Sequence, residues 1–173
     1  MKQIIPIIIL FLSLISVNLN AQCDEMVSEA EECASNAKKS HSYFIKAYRL
    51  LDDNKESGSI DDLKNVLRTA QLYNKKAKDF AKEAESDASG ATDFADDCGC
   101  SDGQTYGSDA ETYAYNTYKY AMQTDTYIQN ALAMDNADEI NNQIEIILQY
   151  LKKSYNLIIE TRDEADAAIS ECY

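Results

Sequence analysis

Histidine is all but missing from this chain: His41 is the only one among 173 residues. A helical di-iron centre needs Glu-x-x-His pairs, and the position three before His41 is Lys38. Covalent haem needs Cys-x-x-Cys-His, which does not occur. Gly-rich phosphate loops, His-based triads and zinc-protease helices are absent as well. With no catalytic constellation and no cofactor motif, the expectation is a protein that is not an enzyme.

Basic residues are too few and too scattered for a phosphate backbone. There are 16 Lys and Arg against 30 Asp and Glu, a formal net charge of −14, whereas nucleic-acid binding needs clustered Lys and Arg. Sustained alternation of apolar and polar residues, the mark of a strand, is lacking too. Only one apolar run exists, over residues 4–17, broken by Pro6, Ser13 and Ser16. It is too short to span a bilayer and follows Lys2, which reads as a signal peptide over residues 1–21 with cleavage after Ala21. A lipid anchor on Cys23 is disfavoured, because lipidation wants a small residue where Gln22 stands. The chain is then expected outside the cytoplasm, periplasmic or extracellular, with residues 22–173 forming one domain.

What is present is a helical period. Apolar or small residues recur in threes and fours as Val27, Ala30, Ala34, Ala37, His41, Phe44, Tyr48 and Leu51, and again as Leu63, Leu67, Ala70, Tyr73, Ala77, Phe80, Ala84 and Ala88. A third segment runs Ala110, Ala114, Thr117, Ala121, Ile128 and Ala131. A fourth runs Ile140, Ile144, Ile147, Leu151, Tyr155, Ile158, Ala165 and Ile169. Capping signals at Ser59 with Asp62, Ser108 with Glu111 and Asn136 with Glu139, and helix-stopping Gly58 and Gly90, place helices near 24–54, 60–89, 108–134 and 137–171. The remaining stretch, Gly90 to Gly107, reads as a long loop.

Helices two and four align without gaps at an offset of 77. Asp61 falls on Asp138, Asn65 on Asn142, Tyr73 on Tyr150, Glu83 on Glu160 and Ala88 on Ala165. The caps Ser59 and Asn136 share the offset, as do Cys23 and Cys100. The reading is an all-α, antiparallel four-helix bundle built from two duplicated helical hairpins, about 23–98 and about 100–173.

That arrangement gathers four of the five cysteines at one pole, and an oxidising compartment favours their pairing. Folding each hairpin about its turn sets Cys100 level with Cys172 and lets Cys98 return to Cys23. The expected disulfides are therefore Cys23–Cys98 and Cys100–Cys172, each closing a loop worth roughly 4 kcal/mol at most. Cys33 is left as a free, buried thiol. Cys98-Gly99-Cys100 is too tightly spaced for a zinc knuckle.

Charge is distributed unevenly. Residues 22–33, 83–111 and 160–173, which converge on the cysteine pole, hold 19 of the acidic residues and a single basic one, Arg162. Part of this keeps an exported protein soluble. Beyond solubility, Glu83, Glu85 and Asp87, and Asp163, Glu164 and Asp166, fall near expected helix C-termini, where each opposes the macrodipole at about 0.3–1 kcal/mol. A compensating basic protein partner is the first functional expectation. The alternative is a divalent-cation or thiol-dependent protein, with Asp93, Asp96, Asp97 and Asp102 as calcium-type oxygen ligands in the long loop, although their spacing is not that of an EF-hand. Tyr106, Tyr113, Tyr120 and Tyr127 recur every seven residues and are expected to fill space left by neighbouring alanines.

Overall fold

The computed structural model describes residues 4–56 and 59–172, with side chains from Ala21 onward. Four helices account for nearly all of it: α1 (Ile4–Asn54), α2 (Ile60–Cys98), α3 (Ser101–Leu132) and α4 (Ala137–Cys172). Each packs antiparallel on the next, and α4 closes the square against α1, while α2 and α4 barely touch across the diagonal. The described part of α1 runs unbroken past Ala21 and Gln22. Gly58 and the side chains of residues 1–20, where a signal peptide is expected, lie outside the described residues. Among the described residues no helix is long and apolar enough to cross a membrane.

Buried positions step by four and three without exception along α1: Met26, Ala30, Cys33, Ala37, Ser40, Phe44, Ala47 and Leu51. The other three helices keep the same rhythm. A strict seven-residue repeat of this kind brings the inward face back to the same seam and imposes a left-handed supercoil. The inward column differs from the expected one at alternate turns. Val27, Ala34, His41 and Tyr48 are half-buried on the flank, and Met26, Cys33, Ser40 and Ala47 take the centre. Likewise Asn74 and Ala81 displace Tyr73 and Phe80, and Ser154 and Ala168 displace Tyr155 and Ile169. Phe44 is the one ring fully buried among the described residues; Tyr43, Tyr48, Tyr73, Phe80 and Tyr155 are half-buried over the seams, where the tyrosine hydroxyls can reach water. His41, for instance, meets Tyr155 edge-on at 6.1 Å.

The hydroxyls drawn into the core all find backbone carbonyls, while the buried Asn74 bonds through its amide nitrogen and leaves Oδ1 without a protein partner. Ser40 Oγ donates to the Ala77 carbonyl at 2.8 Å, and Thr117, Thr124, Ser154 and Thr161 each donate to the carbonyl four residues back. Asn74 Nδ2 donates across the core to the Ala121 carbonyl at 2.9 Å and to Asp125 Oδ1 at 2.7 Å. Asp125 also pairs with Lys78. A buried asparagine held this way favours one axial register of α2 against α3 over its neighbours.

The same offset of 77 carries the buried positions of α1 onto those of α3, from Met26 on Gly103 to Leu51 on Ile128. It carries those of α2 onto α4, from Leu63 on Ile140 to Ala91 on Ala168. A surface contact repeats too. Tyr43 meets Tyr73 at 6.4 Å beneath Lys76, and Tyr120 meets Tyr150 at 5.9 Å beneath Lys153.

The expected loop from Gly90 to Gly107 does not exist. Helix α2 continues through Gly90 to Cys98, and the connection to α3 is Gly99 and Cys100 alone. Gly99 takes φ +77, where an L side chain is strained, and the last carbonyls of α2 accept from Gly99 and Cys100. Cys100, not Ser108, caps α3, while Ser59 and Asn136 cap α2 and α4 as read from sequence. The remaining glycines answer to packing. A Cβ on Gly90 would approach the Glu29 carboxylate at 3.1 Å, and one on Gly107 would lie 2.6 Å from Thr92 Oγ1 and 3.2 Å from the Thr92 backbone nitrogen. Alanine is ordinarily the better helix former by about 1 kcal/mol. Gly107→Ala should nevertheless lower stability, by about 1–3 kcal/mol from overpacking, and Thr92→Ala should restore part of the loss. Thermal unfolding followed by circular dichroism measures both.

Candidate functional site

The short turn at Gly99 sets the geometry of the pole. Cys98 ends α2 beside Cys23 of α1, with Cα atoms 5.4 Å apart, and Cys100 starts α3 beside Cys172 of α4, at 5.9 Å. Both pairs lie at disulfide distance on opposite sides of one residue. Alanine and glycine fill the core beneath them: Ala91, Ala95, Gly103, Gly107 and Ala168, with Met26 buried among them and Phe94 and Ile169 packed against the cluster from the flanks. Two cysteine pairs at disulfide distance fit an extracellular or periplasmic protein.

Cys33 is the fifth cysteine, buried and unpaired. Burial first, then the charges of Asp87 and Asp166, push its thiol up to about 12. A thiol held protonated in this way is neither a nucleophile nor a ready metal ligand.

The carboxylates at this pole gather along the helix seams. On the α1–α2 seam Asp87 accepts from Asn36 Nδ2 at 2.8 Å. Its carboxyl is nevertheless raised above the ordinary aspartate value, by burial first and then by Glu32 and Glu83. Glu29 on the same seam is raised by burial and by Asp87, Glu32 and Glu25. Glu85 is raised by burial and by Glu111 across the α2–α3 seam. Glu164 is raised by burial and by Asp109, Glu160 and Asp163. Of the expected partner-binding residues, Glu83 and Asp87 come together on one seam and Asp163 and Glu164 on another. Glu85 stands with Glu111, and Asp166 is exposed on α4, its charge acting on Cys33 from there. Helix α2 continues to Cys98 instead of stopping near residue 89, so Glu83, Glu85 and Asp87 lie well inside it, away from the last turn where the macrodipole acts. Helix α4 ends within one residue of its expected end, and Asp163, Glu164 and Asp166 also precede its last turn. At Glu85, Asp87 and Glu164 burial and neighbouring carboxylates take the place of the dipole. Glu29, Glu32, Asp109 and Glu111 are not among the site residues singled out from sequence; for Glu29 alone a signal exists, since the seven-residue spacing from Glu29 to Asn36 to Tyr43 marks the half-buried edge of α1.

The calcium-type set changes character with the loss of its loop. Asp93, Asp96 and Asp97 stand on the last turns of α2 and Asp102 on the first turn of α3, all exposed. Gln22 and Gln104 lie at the edge of hydrogen-bond reach of Asp97 and Asp96. Helical carbonyls there cannot turn towards an ion. Among the described residues no group of three or more His, Cys, Asp or Glu is arranged to hold a metal. His41 belongs to no such group; burial first and then Arg162 lower its pKa, so its imidazole is held neutral against Tyr155.

No protein-family model, curated protein or solved structure matches this chain.

Raised carboxyls have a definite consequence for stability. Glu29, Glu85, Asp87 and Glu164 bind protons more tightly folded than unfolded. Their contribution is therefore fully present below the ordinary carboxylate range and is lost as pH rises through their raised folded values. Within the window from that range, about pH 4, up to neutrality, the melting temperature should fall as pH rises. Glu29→Gln with Glu164→Gln should raise the neutral-pH melting temperature, by ~2–4 °C for each kcal/mol relieved, and flatten the profile. A profile identical to that of the unaltered protein would show that these two seams carry no repulsion.

Proposed function

We propose that the chain is exported through cleavage of residues 1–21 and acts as a non-catalytic helical module that docks a basic protein surface with its acidic pole. The observation that carries this reading is the set of seam carboxylates raised by burial and then by neighbouring carboxylates: Glu29, Glu85, Asp87 and Glu164. A fold that needed only solubility would spread these charges, whereas a partner's Lys and Arg neutralise them and turn a local cost into binding energy. The docking residues are Glu83, Glu85, Asp87, Asp163, Glu164 and Asp166, with Asp93, Asp96 and Asp97 at the tip. A divalent-cation or thiol-dependent role finds no support in a pole without a ligand cluster and with its free thiol protonated.

A lysine-rich peptide is a sufficient probe, titrated by calorimetry against the purified protein. Affinity should drop at least tenfold between about 0.1 M and about 1 M salt, as the screening length shortens from ~10 Å to ~3 Å. Reversal of Glu83, Asp87, Asp163 and Asp166 to lysine should abolish binding, while reversal of Asp52 and Asp53 at the far end should not. Equal losses from both sets would reduce the effect to net charge and overturn the reading.

A further inference from the structure

The outward face of α1 carries a charge pattern that is its own complement. Glu25, Glu32, Lys39 and Lys46 follow one another at seven-residue steps and are all exposed. In a helix whose core repeats strictly every seven residues, such positions form one straight stripe. Small residues run alongside it: Ser28, Ser35 and Ser42, also exposed. The stripe is acidic in its half nearest the cysteine pole and basic in the other. Among the described residues none of the four charged side chains has an ion-pair partner, although ion pairs form elsewhere on the molecule at Lys55, Lys64, Lys78 and Arg162. Lys39 instead lies over the Phe80 ring at 5.4 Å and Lys46 over Tyr43 at 4.8 Å.

These two rings stack at 5.9 Å and form the floor of a shallow groove of about 550 Å³ on the basic half. Ser35, Ser42, Lys38, Lys39 and Lys46 form its rim, and no carboxylate lines it. The second hairpin serves as an internal control. Where it repeats the first, at Tyr120, Tyr150 and Lys153, the bundle itself requires the residues. At the positions of Lys39, Lys46 and Phe80 it carries Asn116, Gln123 and Leu157. The groove's lysines are therefore not demanded by the fold.

We infer that this face of α1 joins two copies of the chain as an antiparallel, twofold-symmetric dimer. A twofold axis crossing α1 midway between Ser35 and Asn36 sets Glu32 opposite the partner's Lys39 and Glu25 opposite the partner's Lys46, each pair occurring twice. The same axis brings Ser28 over the partner's Tyr43, so that the groove receives a small side chain. A parallel arrangement in register would set Glu on Glu and Lys on Lys, which the charges reject. Self-complementarity about a twofold axis is what an isologous interface requires, and matched flanking charges select orientation in helical assemblies. The charged contact extends over ~32 Å of helix at 1.5 Å per residue. Exposed pairs are individually weak, so the dimer is reversible and salt-sensitive. It uses none of the residues assigned to partner docking, and it would point the two acidic poles in opposite directions.

Sedimentation velocity of the purified protein over a concentration series tests this. At about 0.1 M salt the series should show a monomer–dimer equilibrium, displaced at least tenfold towards monomer at about 1 M. Lys39→Glu with Lys46→Glu, and separately Glu25→Lys with Glu32→Lys, should each be monomeric with an unchanged helical spectrum, all four side chains being exposed. Mixed in equal amounts, the two variants should form a heterodimer, and a chain carrying all four exchanges should dimerise with itself again. A wild-type protein that is monomeric throughout the series would overturn the proposal. So would a dimer indifferent to both pairs of substitutions, or a mixture that stays monomeric. Peptide binding at the acidic pole, measured on Lys46→Glu alone, whose side chain lies outside the pole, succeeds or fails independently of dimer formation.

Discussion

Close approach of the four helices in the pole half of the bundle is the constraint from which most other features follow. Ala30, Ala84, Ala88, Ala91, Ala110, Ala165 and Ala168 occupy core positions there, with Gly103 and Gly107 among them. Helices separated by methyl groups lie near the short end of the ~8–10 Å range of interaxial distances. Each such residue buries little apolar area, so these layers add less than the leucine and isoleucine layers around Leu51, Leu67, Ile128 and Ile144. Two consequences are visible in the structure. Bulky rings other than Phe44 are displaced to the seams, and the weakly packed end is the one closed by cysteine pairs.

The architecture was legible because period and symmetry survive in one sequence. Helical spacing, the offset of 77 and the equal heights of Cys100 and Cys172 follow from counting along the chain. What counting could not see was size selection. Offered Tyr73 or Asn74, and Tyr155 or Ser154, a reading by hydrophobicity takes the ring, whereas the space between tight helices admits the smaller residue. Glycine misled for a related reason. Gly90 reads as a helix stop and Gly107 as the end of a loop, but their role is to leave room for Glu29 and Thr92. The actual break, Gly99, lay between two cysteines and was considered only for metal spacing.

Once the missing loop is absorbed into α2 and α3, the carboxylates of the pole change from a flexible basket into fixed studs along helix seams. Rigid placement keeps like charges together, and it also presents them to another surface without an ordering cost. The mid-height lysines are held as firmly, over Tyr43, Phe80, Tyr120 and Tyr150. The molecule thus displays both signs of charge in set positions, on a scaffold whose two halves are near copies.

The single residue between the two cysteine pairs has a mechanical meaning. Cys23 is tied to Cys98, and Cys100 to Cys172. Tension applied through the chain before Cys23 and beyond Cys172 would therefore pass from Cys23 to Cys98, through Gly99 to Cys100, and out at Cys172. All four helical segments between these cysteines hang as two closed lassos off that short covalent path and carry no load. Pulled at its ends, the oxidised protein would behave as an almost inextensible link, and its bundle would stay folded under forces that unravel ordinary helices. Reduction would put the whole length of both hairpins in series with the load.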